Sequence, residues 1–243
     1  MGCRLILEWR NSEFPPEQKL LGVVFDAGVI LRSDIVFLLG WNEGLLRKYV
    51  HRVRNLHPEP LLRGGWTLNR SSYAYVLTEP GVRYVHQMLG IDGKPVTMDA
   101  LWSHALGLNA ILMRYLRKHG FDGVRWFNTR EATDELWFLR KLATGATDTD
   151  LRATAIRPDA ALRTSGGFWW IEFDNATETS RQLWRKYQMY ITNLSDLDES
   201  FRHVVWVTKN EARQRSMEMI WSQMPENRLS MRFCIEGQET FEE

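Results

Sequence analysis

Three carboxylates in one short stretch of this 243-residue chain are spaced to do chemistry. Residues 157–163 and 168–174 read as two alternating strands joined by the turn Thr164-Ser-Gly-Gly167. With the tip centred on Ser165 and Gly166, Arg163 pairs with Phe168 and Asp159 falls opposite Glu172. Side chains alternate along a strand, so Asp159, Glu172 and Asp174 project from one face and Trp169, Ile171 and Phe173 from the other. Neighbouring carboxylates repel unless a cation sits between them. A divalent metal on oxygen ligands is the usual solution, and phosphate chemistry its usual use. The same register sets Arg157 opposite Asp174, so a cross-strand ion pair explains that carboxylate without a metal, and Asp159 and Glu172 can then be solvated.

The elements that must position these residues follow from periodicity. A long helix from Thr97 or Asp99 to His119 is closed by Gly120, and Val124–Phe127 reads as a strand. Arg130–Leu142 is helical or mixed, and Thr144–Ala155, rich in Thr and Asp, is a loop. After the hairpin, Asn175-Ala-Thr-Glu178 has the form of a capping box opening a helix to Thr192. His203–Thr208 is a buried strand, Glu211–Met224 an amphipathic helix and Leu229–Ile235 a last strand. Lys186 and Tyr190 lie four apart on the helix after the hairpin and share a face. Trp170 shares the carboxylate face, where it can stack on a base or cover the site. His104 reads as a hydrogen-bonded core or interface histidine before a ligand, and Glu131 and Glu135 as a solvated helix face before a further carboxylate for the metal site.

The first third carries a different chemistry. Glu17–Ile30 is helical after Pro15-Pro16, and Ser33 caps a short helix that Gly40 ends. Asn42 caps a third helix, Glu43–Asn55. On a wheel at about 100° per residue, Leu45, Leu46, Tyr49, Val50 and Val53 fill one arc, and Arg47, Lys48, His51, Arg52 and Arg54 the other. Leu61-Leu62 and Tyr73–Leu77 read as strands around a tip from Arg63 to Arg70, and Thr78-Glu-Pro-Gly81 opens another helix. This order, with its all-basic helix, suggests a helix-turn-helix and resembles the winged-helix DNA-binding domains of bacterial regulators. The resemblance implies that the basic arc meets the major groove and that Arg63 and Arg70 flank a wing on the backbone or minor groove. A solvated basic face, or a winged helix that docks a protein, is the alternative.

Composition sets the limits. Charged residues are 25% and hydrophobic ones 44%, ordinary values for a globular chain, and a net charge of +1 makes no global demand for nucleic acid. Two cysteines, Cys3 and Cys234, form neither a disulfide framework nor a metal cluster. Arg4 and Glu8 break the apolar run of a signal peptide, and no run reaches membrane-spanning length, so a cytoplasmic protein without membrane contact is expected. Gly-rich phosphate loops, Ser/His/Asp arrangements and zinc spacings are missing from the sequence.

The second half, with Pro158-Asp159 on one strand and Glu172 on the next, resembles the PD-(D/E)xK nuclease superfamily. That resemblance implies metal ligation by Asp159 and Glu172, joined here by Asp174, with Mg²⁺ or Mn²⁺ as cofactor if the site is active. A lysine two residues beyond the Glu would orient water, but Asp174 holds that slot. Lys186 is the candidate for a displaced lysine, and a solvent lysine is the alternative.

As a whole the chain resembles the replication-relaxation family of plasmid and mobile-element proteins. The matching features are Leu77-Thr-x-x-Gly81, His104-x-Leu-x-x-Asn109, Pro158-Asp159, Glu172-x-Asp174 and Lys186-x-x-x-Tyr190. The expected fold is α+β: a winged helix-turn-helix over residues 1–91, a linker at 92–97 and a PD-(D/E)xK restriction-endonuclease-like α/β domain with a central mixed sheet over 98–243. Three functions compete. The chain binds double-stranded DNA without cleaving it; it is a metal-dependent endonuclease or nickase using Asp159, Glu172, Asp174 and Lys186; or its winged helix docks a replication or transfer protein. The Asp in the lysine slot and the Arg157–Asp174 pairing put binding first. A homodimer suits a winged helix reading a palindrome.

Overall fold

A computed structural model describes residues 6–67, 71–91, 102–226 and 228–241. Among them are nine α-helices and two sheets, a mixed α+β fold that divides into two compact units, Met1–Met113 and Arg114–Glu243. The division falls inside α5 (Trp102–His119), whereas the linker expected at residues 92–97 lies outside the described residues, as do Arg70 and the expected helix start at Thr97 or Asp99.

In the first unit α1 (Pro16–Ala27) starts behind Pro15-Pro16 and stops at Gly28, whose φ of 69° a side chain would resist. The three residues after it do not continue the helix; they form β1 (Val29–Leu31). Next come α2 (Arg32–Leu39), closed by left-handed Gly40, and α3 (Glu43–Val53), where the Asn42 side chain accepts from the Leu45 amide at 2.9 Å. No side-chain cap bond starts α2, so Ser33 does not cap it. Strands β2 (Leu62–Trp66) and β3 (Tyr73–Leu77) complete an antiparallel sheet in the order β1-β3-β2. The Leu-Thr-x-x-Gly segment has a direct physical role at α4 (Glu79–Leu89). The Thr78 hydroxyl accepts from the Gly81 amide at 3.2 Å, and a Cβ on Gly81 would stand 2.0 Å from the Leu61 carbonyl oxygen. Asn109 of α5 donates from Nδ2 to the carbonyls of Ala27 and Val29, at 3.1 and 2.7 Å, bracketing Gly28. Trp102, Ala105 and Leu106 of the same helix pack on Val29, Ala74 and Val76.

The second unit is built on a five-stranded mixed sheet in the order β4-β5-β6-β7-β8. Its strands are β4 (Arg125–Asn128), β5 (Ala160–Thr164), β6 (Gly167–Asp174), β7 (His203–Thr208) and β8 (Ser230–Ile235). β5 pairs antiparallel with both β4 and β6, and β6, β7 and β8 run parallel. The hairpin register is the expected one, Arg163 opposite Phe168. Helix α6 (Thr129–Thr144) starts with a capping box in which Glu131 reaches back to the Asn128 amide at 2.9 Å. Glu131 is therefore a buried capping residue and not part of a solvated face. The Thr/Asp-rich stretch expected as a loop contains a short helix, α7 (Asp148–Ala153).

Helix α8 (Ser180–Leu194) starts later than expected. Its capping box is Thr179 with Gln182, because Ala176 has a φ of 60° and cannot belong to a right-handed first turn. Helix α9 (Glu211–Trp221) follows β7. Trp169 and Trp170 are both fully buried, and the Trp170 indole donates to the Phe201 carbonyl at 2.8 Å. Trp170 is thus a core residue and cannot stack on a base.

Candidate functional site

The first candidate surface is the outer face of α3. Leu46, Val50 and Val53 point into the unit and are buried, which turns Arg47, Lys48, His51, Arg52 and Arg54 outward, all of them exposed. Arg52 is steadied by Glu17 of α1 at 3.1 Å, and Lys48 and Arg52 both lie 5.6 Å from the centre of the Tyr49 ring. Among the described residues, Arg47, Lys48 and Arg54 make no ion pair. Unpaired like charges on one helix face are mutually destabilising unless a polyanion answers them. On the hairpin Arg63 and Trp66 are exposed, and Tyr73 meets the Trp66 ring edge-on with centroids 5.4 Å apart.

The second candidate lies where β6, α8 and α9 meet, and here the structure brings the expected residues together with an unexpected one. Glu172 is completely buried. Lys186 donates to its Oε2 at 2.6 Å and the Tyr190 hydroxyl to its Oε1 at 2.5 Å. Lys186 also lies 3.4 Å from Glu178 and 5.0 Å from the centre of the Trp206 ring. The lysine is therefore no free solvent lysine; its shared face with Tyr190 is the face that binds Glu172. Asp159 sits one step beyond the last ladder pair, its Oδ2 accepting from the Phe173 amide at 2.9 Å. Burial, and then the Asp159 charge beside it, push the Glu172 carboxyl well above the ordinary glutamate value, with Lys186 opposing. Burial pulls Lys186 down, but the Glu172, Asp159 and Glu178 charges more than offset it and the ammonium holds its proton beyond the usual lysine range.

Asp174 is answered from elsewhere. Arg213 of α9 grips it with two bonds, Nε to Oδ2 at 2.7 Å and Nη2 to Oδ1 at 3.0 Å, while Nη2 also reaches the Glu178 carbonyl at 2.8 Å. The Arg157 expected opposite Asp174 is exposed and precedes β5. Sequence reasoning missed Arg213; the only signal was an arginine in the first turn of the helix after β7, 39 residues from its partner.

These bonds decide whether a divalent cation fits. Mg²⁺ and Mn²⁺ need several oxygen ligands free to coordinate. Both oxygens of Glu172 accept from Lys186 and Tyr190, both of Asp174 from Arg213, and one of Asp159 from a backbone amide. Side-chain nitrogens already occupy the places where a cation would neutralise Glu172 and Asp174. Among the described residues, no group of three or more His, Cys, Asp or Glu side chains is arranged to hold a metal. The residues as arranged do not fit a divalent metal.

Together these features define a chain of two α+β units, one presenting a solvent-facing basic helix, the other holding internally neutralised carboxylates. No curated protein and no solved structure matches the chain. Residues 47–199 match the model of the replication-relaxation family, and the chain belongs to that family. Among the described residues no helix is long and apolar enough to cross a membrane.

Proposed function

We propose that this protein binds double-stranded DNA of a plasmid or other mobile element, acting in replication, relaxation or transfer or in their regulation. In this reading the first unit is a winged helix and the second a PD-(D/E)xK-like domain that does not cleave. The observation that carries it is the face of α3: five basic side chains, all exposed, on the third helix of a unit completed by a β1-β3-β2 antiparallel sheet. Arg47, Lys48, His51, Arg52 and Arg54 meet the DNA, Arg63 and Arg70 act from the wing, and family membership supplies the biological setting. Lys186 and Arg213, each bonded to a carboxylate, argue for binding over hydrolysis.

The test combines fluorescence-anisotropy binding to duplex DNA with incubation of supercoiled plasmid in Mg²⁺, Mn²⁺ or EDTA. If Arg47, Lys48, Arg52 and Arg54 each neutralise one phosphate, log K falls against log salt with a slope of about −3.6 from this helix alone. Arg47→Ala with Lys48→Ala removes about half of that slope, and plasmid stays intact in every lane. Metal-dependent nicking by the wild type that Glu172→Gln abolishes would overturn the non-cleaving reading. Failure to bind any duplex at low salt would overturn DNA binding itself and favour a protein partner for the winged helix.

A further inference from the structure

Helix α8 has two faces with different tasks. Leu183, Tyr187, Tyr190 and Leu194 are buried, and Lys186 and Tyr190 tie the helix to Glu172 at the centre of the sheet. That anchoring fixes the opposite face, where Arg181, Arg185 and Gln188 recur at i, i+4 and i+7 and are all exposed. The fifteen residues of α8 include no Asp or Glu.

Two other exposed helical arginines give a comparison. On α4 Arg83 has Glu79 four residues earlier at 2.6 Å, and on α9 Arg215 has Glu211 four residues earlier at 3.0 Å. Arg185 has Arg181 in that place, and among the described residues neither makes an ion pair. Two like charges one turn apart repel, and Arg181 stands in the first turn, where the helix's own field also disfavours a cation. The protein tolerates on α8 a charge arrangement that it neutralises on α4 and α9. The outer face of α3 also carries exposed like charges, and that face is the proposed DNA contact.

We infer that the Arg181–Arg185 face of α8 is a second contact to the phosphate backbone of duplex DNA, so that the PD-(D/E)xK-like unit serves as a second DNA-binding element. This rests on the DNA-binding reading above. The two arginines lie about 6 Å apart along the helix, a stripe that follows a backbone and reads no bases. The Glu172–Lys186–Tyr190 cluster acts through the helix it anchors and touches no DNA.

The experiment is a salt titration of duplex binding by the full chain, comparing wild type, Arg181→Gln/Arg185→Gln and Arg47→Ala/Lys48→Ala. Both α8 positions are exposed, so circular dichroism and Tm should match wild type. The expected result is weaker binding with a log–log slope shallower by about 1.8, two contacts at about 0.9 each, without change in sequence preference. An unchanged slope and affinity in the α8 variant, with the α3 variant impaired, overturns this inference and leaves the α3 reading standing. Wild type that binds no duplex overturns both.

Discussion

Replacing Lys186 with methionine removes the ammonium, with its contact to the Trp206 ring, and leaves Glu172 buried beside Asp159 with no cation. A buried carboxylate so stranded costs about 3–5 kcal/mol when it stays charged. It has an alternative, which is to take a proton. From the ordinary value of 4.5, holding a proton at pH 7 costs about 2.5 units at about 1.4 kcal/mol each, so the penalty is capped near 3.4 kcal/mol. The sign follows from linkage. A carboxyl whose folded value lies above its unfolded one keeps its full contribution below about 4.5 and loses it as pH rises. Wild-type Glu172 is itself raised and carries part of that penalty, so the Lys186→Met deficit stays below about 3.4 kcal/mol at pH 7. It is smallest where Glu172 is protonated in both proteins and grows as pH rises through the raised wild-type value. Urea unfolding read by hydrogen exchange in β6 and β7 peptides confines the measurement to the second unit. A deficit that fails to grow anywhere between about pH 5 and about pH 9 refutes the charge coupling between Lys186 and Glu172.

Two further predictions use the same logic at other bonds. Arg213→Ala leaves Asp174 buried without its two-bond partner and costs about 3 kcal/mol; a double-mutant cycle with Asp174→Asn gives a coupling of about 1–3 kcal/mol, whereas additive losses would deny the pairing. Asn42→Ala removes the side-chain cap of α3 and lowers the stability of the first unit by about 1 kcal/mol, readable as faster amide exchange in α3 peptides alone.

Local chemistry explains what could be read in advance. The basic arc of α3 follows from helical periodicity and its Asn42 cap, and the pairing of Arg163 with Phe168 from the turn between two alternating strands. Both are set by neighbours in sequence. The errors arise where tertiary context decides. The expected first helix ran on to Ile30, into β1, because an apolar run fits either period, and only pairing with β3 makes it a strand. Asn175-Ala-Thr-Glu178 and Thr179-x-x-Gln182 are both cap patterns, and the left-handed turn at Ala176 selects the second. Trp170 lies on the carboxylate side of β6, yet it is buried, with its indole bonded to the carbonyl of Phe201 at the end of the short 3₁₀ turn Glu199–Phe201. At the candidate site, Glu172, Lys186 and Tyr190 were legible as spacing, but the Arg213 grip joins an arginine to a carboxylate one strand and one helix away.

The two hydrogen bonds from Asn109 bear on the order in which the chain is made. They join positions 80 and 82 residues apart, so the carbonyls on either side of Gly28 wait for a segment synthesised long after them. Val29, Ala74 and Val76 likewise wait for Trp102, Ala105 and Leu106. A nascent chain that has released only as far as α4 owns the basic helix and all three strands of its sheet, but lacks the cover on that apolar patch. The first unit therefore matures on the ribosome only once α5 has emerged, and any truncation meant to isolate it must carry that helix through Asn109.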